Sequence, residues 1–445
     1  MALHVLQLSD IHFTTLIGDE KTIHDDVRRE LVADVRALRG RVGHPVQAVA
    51  ITGDIAFSGK RGEYELAAQW LDQIVEACGC SHTAVLTVPG NHDVDRERIQ
   101  TSAKLLHRSL RQIVPAQASR ELEKLMTTGD PLLLDKFHDY RAFAACYGTP
   151  FESSSAPNWI RRFALSDTCA LDIVGLSTVQ VCDAEDVEKA MFLGPHQYVF
   201  ERAPNIETIV LMHHPLHWLR DSAAAEPYLT ARAKVLIYGH EHMQTLEKKQ
   251  KANGQELLVL GSGAVTPELG MDGYTYRYNL LAFEHVKGGV DHSLAVTVYP
   301  RIWSPSETKF RPDRESLADG DESVDFALKS SQFGQQPLAG AAARAARTVR
   351  HLETAVPCGP PATLRHLFWR HLDWRERIKV LLNMGILPPA PEVPLPQHVE
   401  EEAIAKAEAS NQLPKLWELV MGHIPQDVRP TNPFAKGNSD ACSDR

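Results

Sequence analysis

The chain has 445 residues, too many for one ordinary domain, and this length predicts about two or three domains. Its 47 lysines and arginines are outnumbered by 57 aspartates and glutamates, and a formal net charge of -10 argues against a protein that follows long stretches of nucleic-acid backbone. The seven cysteines form no C-x-x-C pair, which argues against a zinc ribbon or a dithiol redox site.

The N-terminal part of the chain alternates strand-like and helix-like segments. The first ten residues, MALHVLQLSD, lack the long apolar core of a signal peptide, and no later run approaches the roughly 20 apolar residues of a membrane span, so we expect a cytoplasmic protein with no membrane contact. The segment GEYELAAQWLDQIVEAC and part of 100–146 have a helical apolar period. Six Val-, Leu- and Ile-rich runs have strand length: HVLQLS, AVAITG, AVLTVPG, IVLMHH, VLIYGH and LLVLGSG. The pattern predicts an α/β fold with a well-buried sheet, in which 94–160 is a helical insertion and a candidate lid.

Two later segments, YNLLAFEHV and SLAVTVYPRIW, alternate apolar and polar residues and are separated by KGGVDH, which predicts a hairpin. We expect the sheet to end near Trp303, where the composition shifts to Ser, Pro, Gly, Ala and charged residues. The predicted division of the chain is a first domain at 1–303, a linker at 304–361, a helical domain at 362–435 and a disordered tail at 436–445.

Side chains that can bind metal ions follow five of the predicted strands. In open α/β sheets, ligands bind beyond the carboxyl ends of the strands, so we expect the five groups to meet. Asp10 and His12 are two residues apart, which in extended chain turns them to the same side. The groups are Asp10 and His12; Asp54; Asn91, His92 and Asp93; His213 and His214; and His240 and His242. Imidazole, carboxylate and amide donors without thiols suit Mn, Fe, Zn or Ni better than Ca or Mg.

The order of these groups, in SDIHF, TGDIAFSG, PGNHDVD, LMHHP and YGHEHM, resembles the signature of the calcineurin-like metallophosphoesterase superfamily. The resemblance covers roughly residues 1–300 and implies a dinuclear catalytic domain folded as a four-layer α/β/β/α sandwich. It implies one ion on Asp10, His12 and His242, a second on Asn91, His213 and His240, and Asp54 as the bridge between them. Two ions about 3.5 to 4 Å apart can activate a hydroxide for attack on phosphorus and neutralise the phosphoryl oxygens.

His92 has a different predicted role from the seven ligands. It is free to act as the general acid for the leaving oxygen, or as a hydrogen-bond donor to the transition state. Asp93 and His214 are expected to support the site from behind the ligands rather than to bind metal. Many relatives carry a second aspartate three positions after the bridging one, where it can orient the catalytic histidine. Here that position is Phe57, so the sequence leaves open how His92 is held.

The C-terminal segments LDWRERIKVLLNMGILP and LPKLWELVMGHIPQDVRPTNPF have a looser resemblance to small helical adaptor modules, which are appended to bacterial signalling and conflict effectors. This resemblance implies a protein partner. Basic and aromatic residues interleave in the first helix, and we interpret them as an ordinary amphipathic helix rather than as a nucleic-acid surface.

The leading hypothesis is a metal-dependent phosphoesterase that acts on a small phosphodiester such as a cyclic nucleotide, with a diester favoured over a monoester. A nuclease is one alternative, because nucleic acid is not excluded as a substrate. A second alternative is a signalling or conflict-system effector, whose phosphoesterase domain is controlled through the C-terminal module.

Overall fold

The computed structural model describes residues 2–149, 151, 158–200, 203–250, 254–267, 275–288, 291–329, 359–387, 395 and 397–434. The strands in these ranges are β1 Leu3–Leu8, β2 Ala48–Ile51, β3 Val85–Thr87, β4 Trp159–Ser166, β5 Cys169–Gly175, β6 Ile206–Leu211, β7 Val235–Tyr238, β8 Gln244–Gln250, β9 Glu256–Ser262, β10 Arg277–Gly288, β11 Asp291–Ser304, β12 Lys309–Pro312 and β13 Val324–Lys329. The helices are α1 Asp19–Val42, α2 Arg61–Cys78, α3 Thr101–Gln112, α4 Pro115–Thr128, α5 Pro131–Leu134, α6 His138–Cys146, α7 Pro195–Tyr198, α8 Ser222–Arg232, α9 Pro360–His371, α10 Trp374–Asn383, α11 Gln397–Ala409 and α12 Leu413–Met421. None of these helices combines the length and the apolar character that a membrane crossing requires.

The strands form two mixed sheets. The first has the order β12-β11-β10-β1-β2-β3, and β13 also pairs with β11. The second has the order β4-β5-β6-β7-β9-β8. The strands β1, β2 and β3 are parallel to one another, as are β5, β6, β7 and β9, so the strand ends that carry the predicted ligands lie at the same edge of each sheet.

Alternate residues of the central strands face two different cores. In β1, Leu3 and Val5 belong to the core between the two sheets, where they are packed with residues of the second sheet such as Ile209. Leu6 and Leu8 point to the opposite face and belong to the core that includes α1 and α2. Both faces of each sheet are therefore covered, which is the predicted four-layer α/β/β/α sandwich.

The first sheet continues beyond the predicted end at Trp303. Strands β12 and β13 both pair antiparallel with β11, so the sheet extends to Lys329. The prediction of a linker that starts at 304 is wrong in this respect, because 304–329 contains two strands. Their polar composition is not typical of buried strands, so the sequence analysis did not predict them. Strand β13 reads VDFALK, and the side chain of Leu328 is buried while its neighbours are more exposed. Residues 330–358 and the tail 436–445 lie outside the described residues.

The remaining differences are of two kinds, since β5 reads CALDIVG and is fully buried whereas β8 is polar. Helix α1 and strands β4, β5 and β8 were not among the predicted elements. Strand β8 reads QTLEKKQ and stands at the edge of the second sheet, where a polar sequence is tolerated because one side of the strand meets solvent. The hairpin predicted at KGGVDH is confirmed, since β10 and β11 pair antiparallel from Arg277 opposite Ile302 to Gly288 opposite Asp291.

The insertion and the C-terminal helices share a contact around α6. Within the insertion, the buried ammonium of Lys136 donates to the carbonyl oxygens of Gln180 and Cys182, at 2.7 and 2.9 Å. Helix α9 packs on α6, and its Phe368 is fully buried. The predicted helical domain therefore lies against the helical layer of the first sheet. That 94–160 acts as a lid stays a prediction, and part of its final loop is outside the described residues.

Candidate metal centre

The backbone turns sharply where the ligand-bearing strands end. Five predicted ligands have left-handed backbone, with φ of 52° at Asp10, 49° at His12, 53° at Asp54, 71° at His240 and 57° at His242. This conformation is uncommon for residues other than glycine, although Asp, Asn and His tolerate it best. It costs of order 1–3 kcal/mol per residue and clusters at functional sites, where the surrounding structure imposes it.

Hydrogen bonds between loops hold this backbone in place. The amide of Asp10 donates to the Gly53 carbonyl at 3.1 Å, and the amide of His12 donates to the Asp54 carbonyl at 2.9 Å. The expectation that Asp10 and His12 converge because the chain is extended is therefore wrong. Their side chains do meet, but through two left-handed residues that are tied to the neighbouring loop.

The first group contains Asp10, His12 and His242. The Nε2 atoms of His12 and His242 are 3.4 Å apart, and Nε2 of His242 is 3.4 Å from Oδ1 of Asp10. Burial lowers the pKa of His12 to about 4, so its ring is neutral at pH 7 and has a lone pair for a metal ion. The Asp10 carboxyl is fully buried, and the facing histidines, His242 foremost, outweigh that burial and hold its pKa below the usual value.

The second group contains Asn91, His213 and His240. The side-chain oxygen of Asn91 lies 2.9 Å from Nε2 of His213 and 3.0 Å from Nδ1 of His240. On its other side, the His213 ring donates from Nδ1 to the carbonyl of Thr52 at 2.8 Å. A neutral imidazole that donates from Nδ1 has its lone pair on Nε2, which here points at the Asn91 oxygen.

Asp54 lies between the two groups. Its Oδ2 atom is 3.4 Å from Nε2 of His213 and 3.9 Å from Nε2 of His12, while Oδ1 accepts the amide N–H of His92 at 2.8 Å. Its carboxyl is 2 % exposed, and the surrounding histidines, His213 foremost, lower its pKa despite this burial. The structure thus brings all seven predicted ligands into two adjoining groups joined by one carboxylate.

The chemistry of these donors fits metal ions. Two buried carboxylates, the Asn91 amide oxygen and Nε2 of His213 lie close together, and oxygen atoms with lone pairs at such short distances repel unless a cation lies between them. Burial lowers the pKa of His240 to about 3, so this ring also offers a lone pair rather than a proton. Nitrogen and oxygen donors in this mixture suit borderline divalent ions.

Glycines next to the ligands leave no room for a side chain. A Cβ atom on Gly90 would lie 2.1 Å from Oδ1 of Asp54, and one on Gly239 would lie 2.0 Å from Oγ of Ser9. The absence of a side chain at these two positions is therefore what allows the ligand-bearing loops to approach one another.

His92 lies beside the first group. Its ring is 4.8 Å from the His12 ring, and its Nδ1 atom donates to the backbone carbonyl of Phe57 at 2.8 Å. This contact shows how His92 is held in a chain that lacks the second aspartate, because a main-chain oxygen of the substituting residue is the acceptor. A carbonyl is neutral, so it orients the ring without the charge that a carboxylate would add.

The two predicted supporting residues have different contacts. Asp93 is fully buried and accepts the amides of Ile55, Ala56 and Gly90, which fixes the two loops that carry Asp54 and Asn91. His214 is also fully buried, and its Nδ1 atom lies 2.8 Å from the hydroxyl oxygen of Thr178. Its ring is 4.4 Å from the His240 ring, so His214 packs directly behind a predicted ligand.

Several residues that support the site were not predicted. The Arg28 guanidinium donates to the carbonyl of Ile11 at 2.8 Å, the Tyr64 hydroxyl lies 3.0 Å from Oδ1 of Asp93, and the Trp218 ring is 4.2 Å from the His240 ring. Arg28 and Tyr64 lie on helices α1 and α2, outside the ligand motifs. Their positions follow from helix packing, so no local motif marks them.

Comparisons with known proteins agree with this geometry. Residues 3–244 match the model of the calcineurin-like phosphoesterase family, and residues 362–422 match that of the GTPase-associated adaptor domain. No curated protein sequence matches the chain significantly.

Among solved structures, the chain is similar to GAP50, the anchor in the inner membrane complex of Plasmodium, at 12% identity and a TM-score of 0.39, over 78% of this chain and 94% of that one. It is similar to purple acid phosphatase PPD1 from yellow lupin seeds at 11% identity and a TM-score of 0.35, over 74% and 54% of the two chains. Wild-type Vps29 of Entamoeba histolytica in complex with zinc matches at 12% identity and a TM-score of 0.27, over 74% and 99%. Similarity at this level carries no functional argument.

The family match spans more than half of the chain and includes all seven predicted ligands, and the C-terminal match agrees with the predicted adaptor-like module. The chain belongs to the calcineurin-like phosphoesterase family of metal-dependent enzymes, and it carries a GTPase-associated adaptor domain at its C-terminus.

Proposed function

We propose that this metal-dependent phosphoesterase hydrolyses a small phosphodiester, with a cyclic nucleotide as the leading candidate. The observation that supports this most is the position of Asp54 between two groups of histidines, with His92 beside the first group. A phosphodiester has one ester oxygen that leaves and one that stays. A single proton donor at one side of a dinuclear site can serve that leaving oxygen while the metal ions hold the phosphoryl oxygens.

In the proposed site, Asp10, His12 and His242 hold one ion, Asn91, His213 and His240 hold the second, and Asp54 bridges them. Two such ions, when bound, activate the attacking water and neutralise charge on the phosphoryl oxygens. Mn, Fe, Zn and Ni are the proposed metals, since they suit mixed imidazole and oxygen donors.

His92 is the proposed proton donor. Its Nδ1–H donates to the Phe57 carbonyl at 2.8 Å, which leaves Nε2 as the ring nitrogen available to a substrate. From Nε2 the protonated ring can donate to the leaving oxygen, or to a phosphoryl oxygen in the transition state.

The first alternative substrate is nucleic acid. A nuclease needs basic surface beside the metals, because each phosphate that it contacts adds to affinity. The net charge of -10 and the pairing of nearby Lys60 with Asp95 and Glu97, both at 2.7 Å, favour a compact substrate instead. The second alternative, a signalling or conflict effector controlled through a protein partner, is compatible with phosphodiester hydrolysis and rests on the adaptor domain.

Substrate panels on metal-reconstituted protein test this proposal. Metal-free protein would be loaded separately with Mn, Fe, Zn or Ni and assayed against bis-nitrophenyl phosphate, nitrophenyl phosphate, cyclic nucleotides and linear DNA at physiological salt. We expect the diesters and cyclic nucleotides to be cleaved fastest, with the Asp54→Asn variant as the inactive control. Faster degradation of DNA would support the nuclease, and a preference for the monoester would contradict the diester assignment.

A further inference from the structure

Phe57 is unusual among the phenylalanines of this chain. Its side chain is 46% exposed, whereas every other phenylalanine in the described ranges is buried or half-buried. The preceding residues Ile55 and Ala56 are fully buried, so the chain brings one aromatic ring to the surface immediately after the loop that carries Asp54. An exposed aromatic ring beside a polar site offers a face on which a ligand can pack, and covering that face is favourable.

The ring lies directly beside the candidate proton donor. Its centroid is 5.5 Å from that of His92 and 6.3 Å from that of His12. It therefore stands at the rim of the metal centre, on the side where the leaving group of a phosphoester would meet His92.

The backbone of Phe57 is fixed at both of its polar groups. Its amide donates to the carbonyl of Phe13 at 2.9 Å, and its carbonyl accepts the Nδ1–H of His92 at 2.8 Å. A ring on such a backbone is a preorganised surface, since little conformational freedom is lost when a ligand packs on it.

We propose that Phe57 is a specificity-determining residue, on whose exposed face the nucleobase of a nucleoside phosphodiester stacks while the ester reacts at the metal centre. This inference rests on the proposed phosphodiesterase function and identifies the leaving group of the substrate as a nucleoside. Every nucleobase has a π-face, and stacking on an aromatic side chain tolerates different bases. The nearby cation Lys60 is held by Asp95 and Glu97, so a flat ring rather than a second phosphate is the group that this rim favours.

Two substrates that differ only in the base provide the first test. A nucleoside cyclic phosphate and the same cyclic phosphate of methyl riboside share the bond that breaks and the oxygen that leaves. Stacking changes affinity by about 5- to 150-fold per base, and we expect the wild type to prefer the base-bearing ester by about tenfold in kcat/KM. In Phe57→Leu the ratio of kcat/KM for the two esters should fall towards one, because KM for the base-bearing ester rises. Phe57→Trp should keep the wild-type ratio. The matched control is Tyr228→Ala, which removes another exposed aromatic ring, one that packs on Tyr198.

Fluorescence provides a second readout that does not depend on turnover. The monophosphate of 2-aminopurine riboside is quenched when its base stacks, and it should be quenched by wild-type holoenzyme and by Tyr228→Ala but much less by Phe57→Leu. Equal cleavage of the two riboside esters by the wild type, with bis-nitrophenyl phosphate still hydrolysed, would overturn the inference and leave the phosphodiesterase intact. A change confined to kcat and its pH profile in Phe57→Leu would also overturn it, because the ring would then only position His92. Hydrolysis of no phosphoester at all would refute both proposals.

Discussion

The two carboxylate oxygens of Asp54 contact different parts of the site. Oδ1 accepts the His92 amide, and Oδ2 lies within 4 Å of both His12 and His213. A single residue thus ties together the two ligand groups and the loop of the candidate proton donor. Its negative charge is the one that two cations can share.

Asp54→Asn is expected to abolish turnover and to lower the metal content of the purified protein. The substitution keeps the shape of the side chain and an oxygen for the His92 amide, so folding should be preserved, but it removes the shared charge. Elemental analysis together with circular dichroism would check this. A folded variant with two metals per chain and full activity would show that Asp54 is not the bridge.

His92→Ala is expected to keep both metals and to lower kcat by about 10² to 10⁴, the usual value of a positioned proton donor. Because the proton serves the leaving oxygen, a nitrophenyl ester, which hardly needs protonation, should lose less than an alkyl or nucleoside ester. The measurement is kcat for both ester types in the variant and the wild type. Equal losses would instead assign His92 to the phosphoryl oxygens.

Among the elements, helix α9 is attached to the catalytic domain through polar contacts that are buried or partly buried. His366 donates from Nδ1 to the carbonyl of Cys146 at 3.0 Å, and its ring is 4.4 Å from that of His82. Arg370, one turn further along α9, pairs with Asp72 of α2 at 2.6 Å. Burial, and then the nearby His82 and Arg370, lower the pKa of His366 to about 3.

This shift predicts that acid weakens the protein through His366. Below about pH 6.5 the unfolded chain binds a proton on this ring and the folded chain does not. The free energy of unfolding therefore decreases as the pH is lowered towards the pKa of the folded state, by at most about 1.4 kcal/mol per pH unit. Thermal unfolding between pH 4.5 and 7.5 should show a shallower pH dependence for His366→Asn, whose amide can still donate to Cys146. The exposed His44→Asn is the control, and equal slopes for wild type and His366→Asn would contradict the assignment.

At the scale of the whole molecule, the last strands and the adaptor domain contribute to the catalytic domain in different ways. Strands β12 and β13 belong to its first sheet, since both pair with β11. The adaptor helices cover the surface of α6, where Cys146 and Tyr147 are buried. Cutting the chain within residues 330–358, between β13 and the adaptor domain, would therefore leave both sheets complete.

A chain that ends at residue 330 is expected to retain metal binding and hydrolysis, but to unfold at a lower temperature and to aggregate more readily, because the α6 surface becomes exposed. A chain that ends at residue 310 should fail to fold stably, since it lacks β13 and half of β12. Size-exclusion chromatography, thermal unfolding and metal content would compare the two. Equal stability of both truncated chains would show that the edge strands are dispensable.

The fold class and the residues that the site brings together could be predicted from the sequence. Buried strands were recognisable as short Val-, Leu- and Ile-rich runs, and metal-capable residues at their ends, such as Asp10 and His240, could be assigned to one region because parallel strands share an edge. Each of these signals lies within a short stretch of sequence, so it can be recognised without knowledge of the tertiary structure. The polar strands β8, β12 and β13 were not predicted because their stability comes from pairing with neighbouring strands rather than from a local apolar run. Helix α1 and strand β5 were also not predicted, although both carry buried apolar residues that their sequences show.

The way in which the site is held depends on contacts between segments that are distant in sequence. The left-handed backbone of Asp10 and His12 is imposed by hydrogen bonds from the Gly53–Asp54 loop, which lies about forty residues away in sequence. The acceptor that replaces the missing aspartate is a main-chain carbonyl of Phe57, and every residue has one, so no side-chain pattern can reveal it. Contacts between distant segments depend on three-dimensional packing, and that information is not contained in the spacing of any one motif.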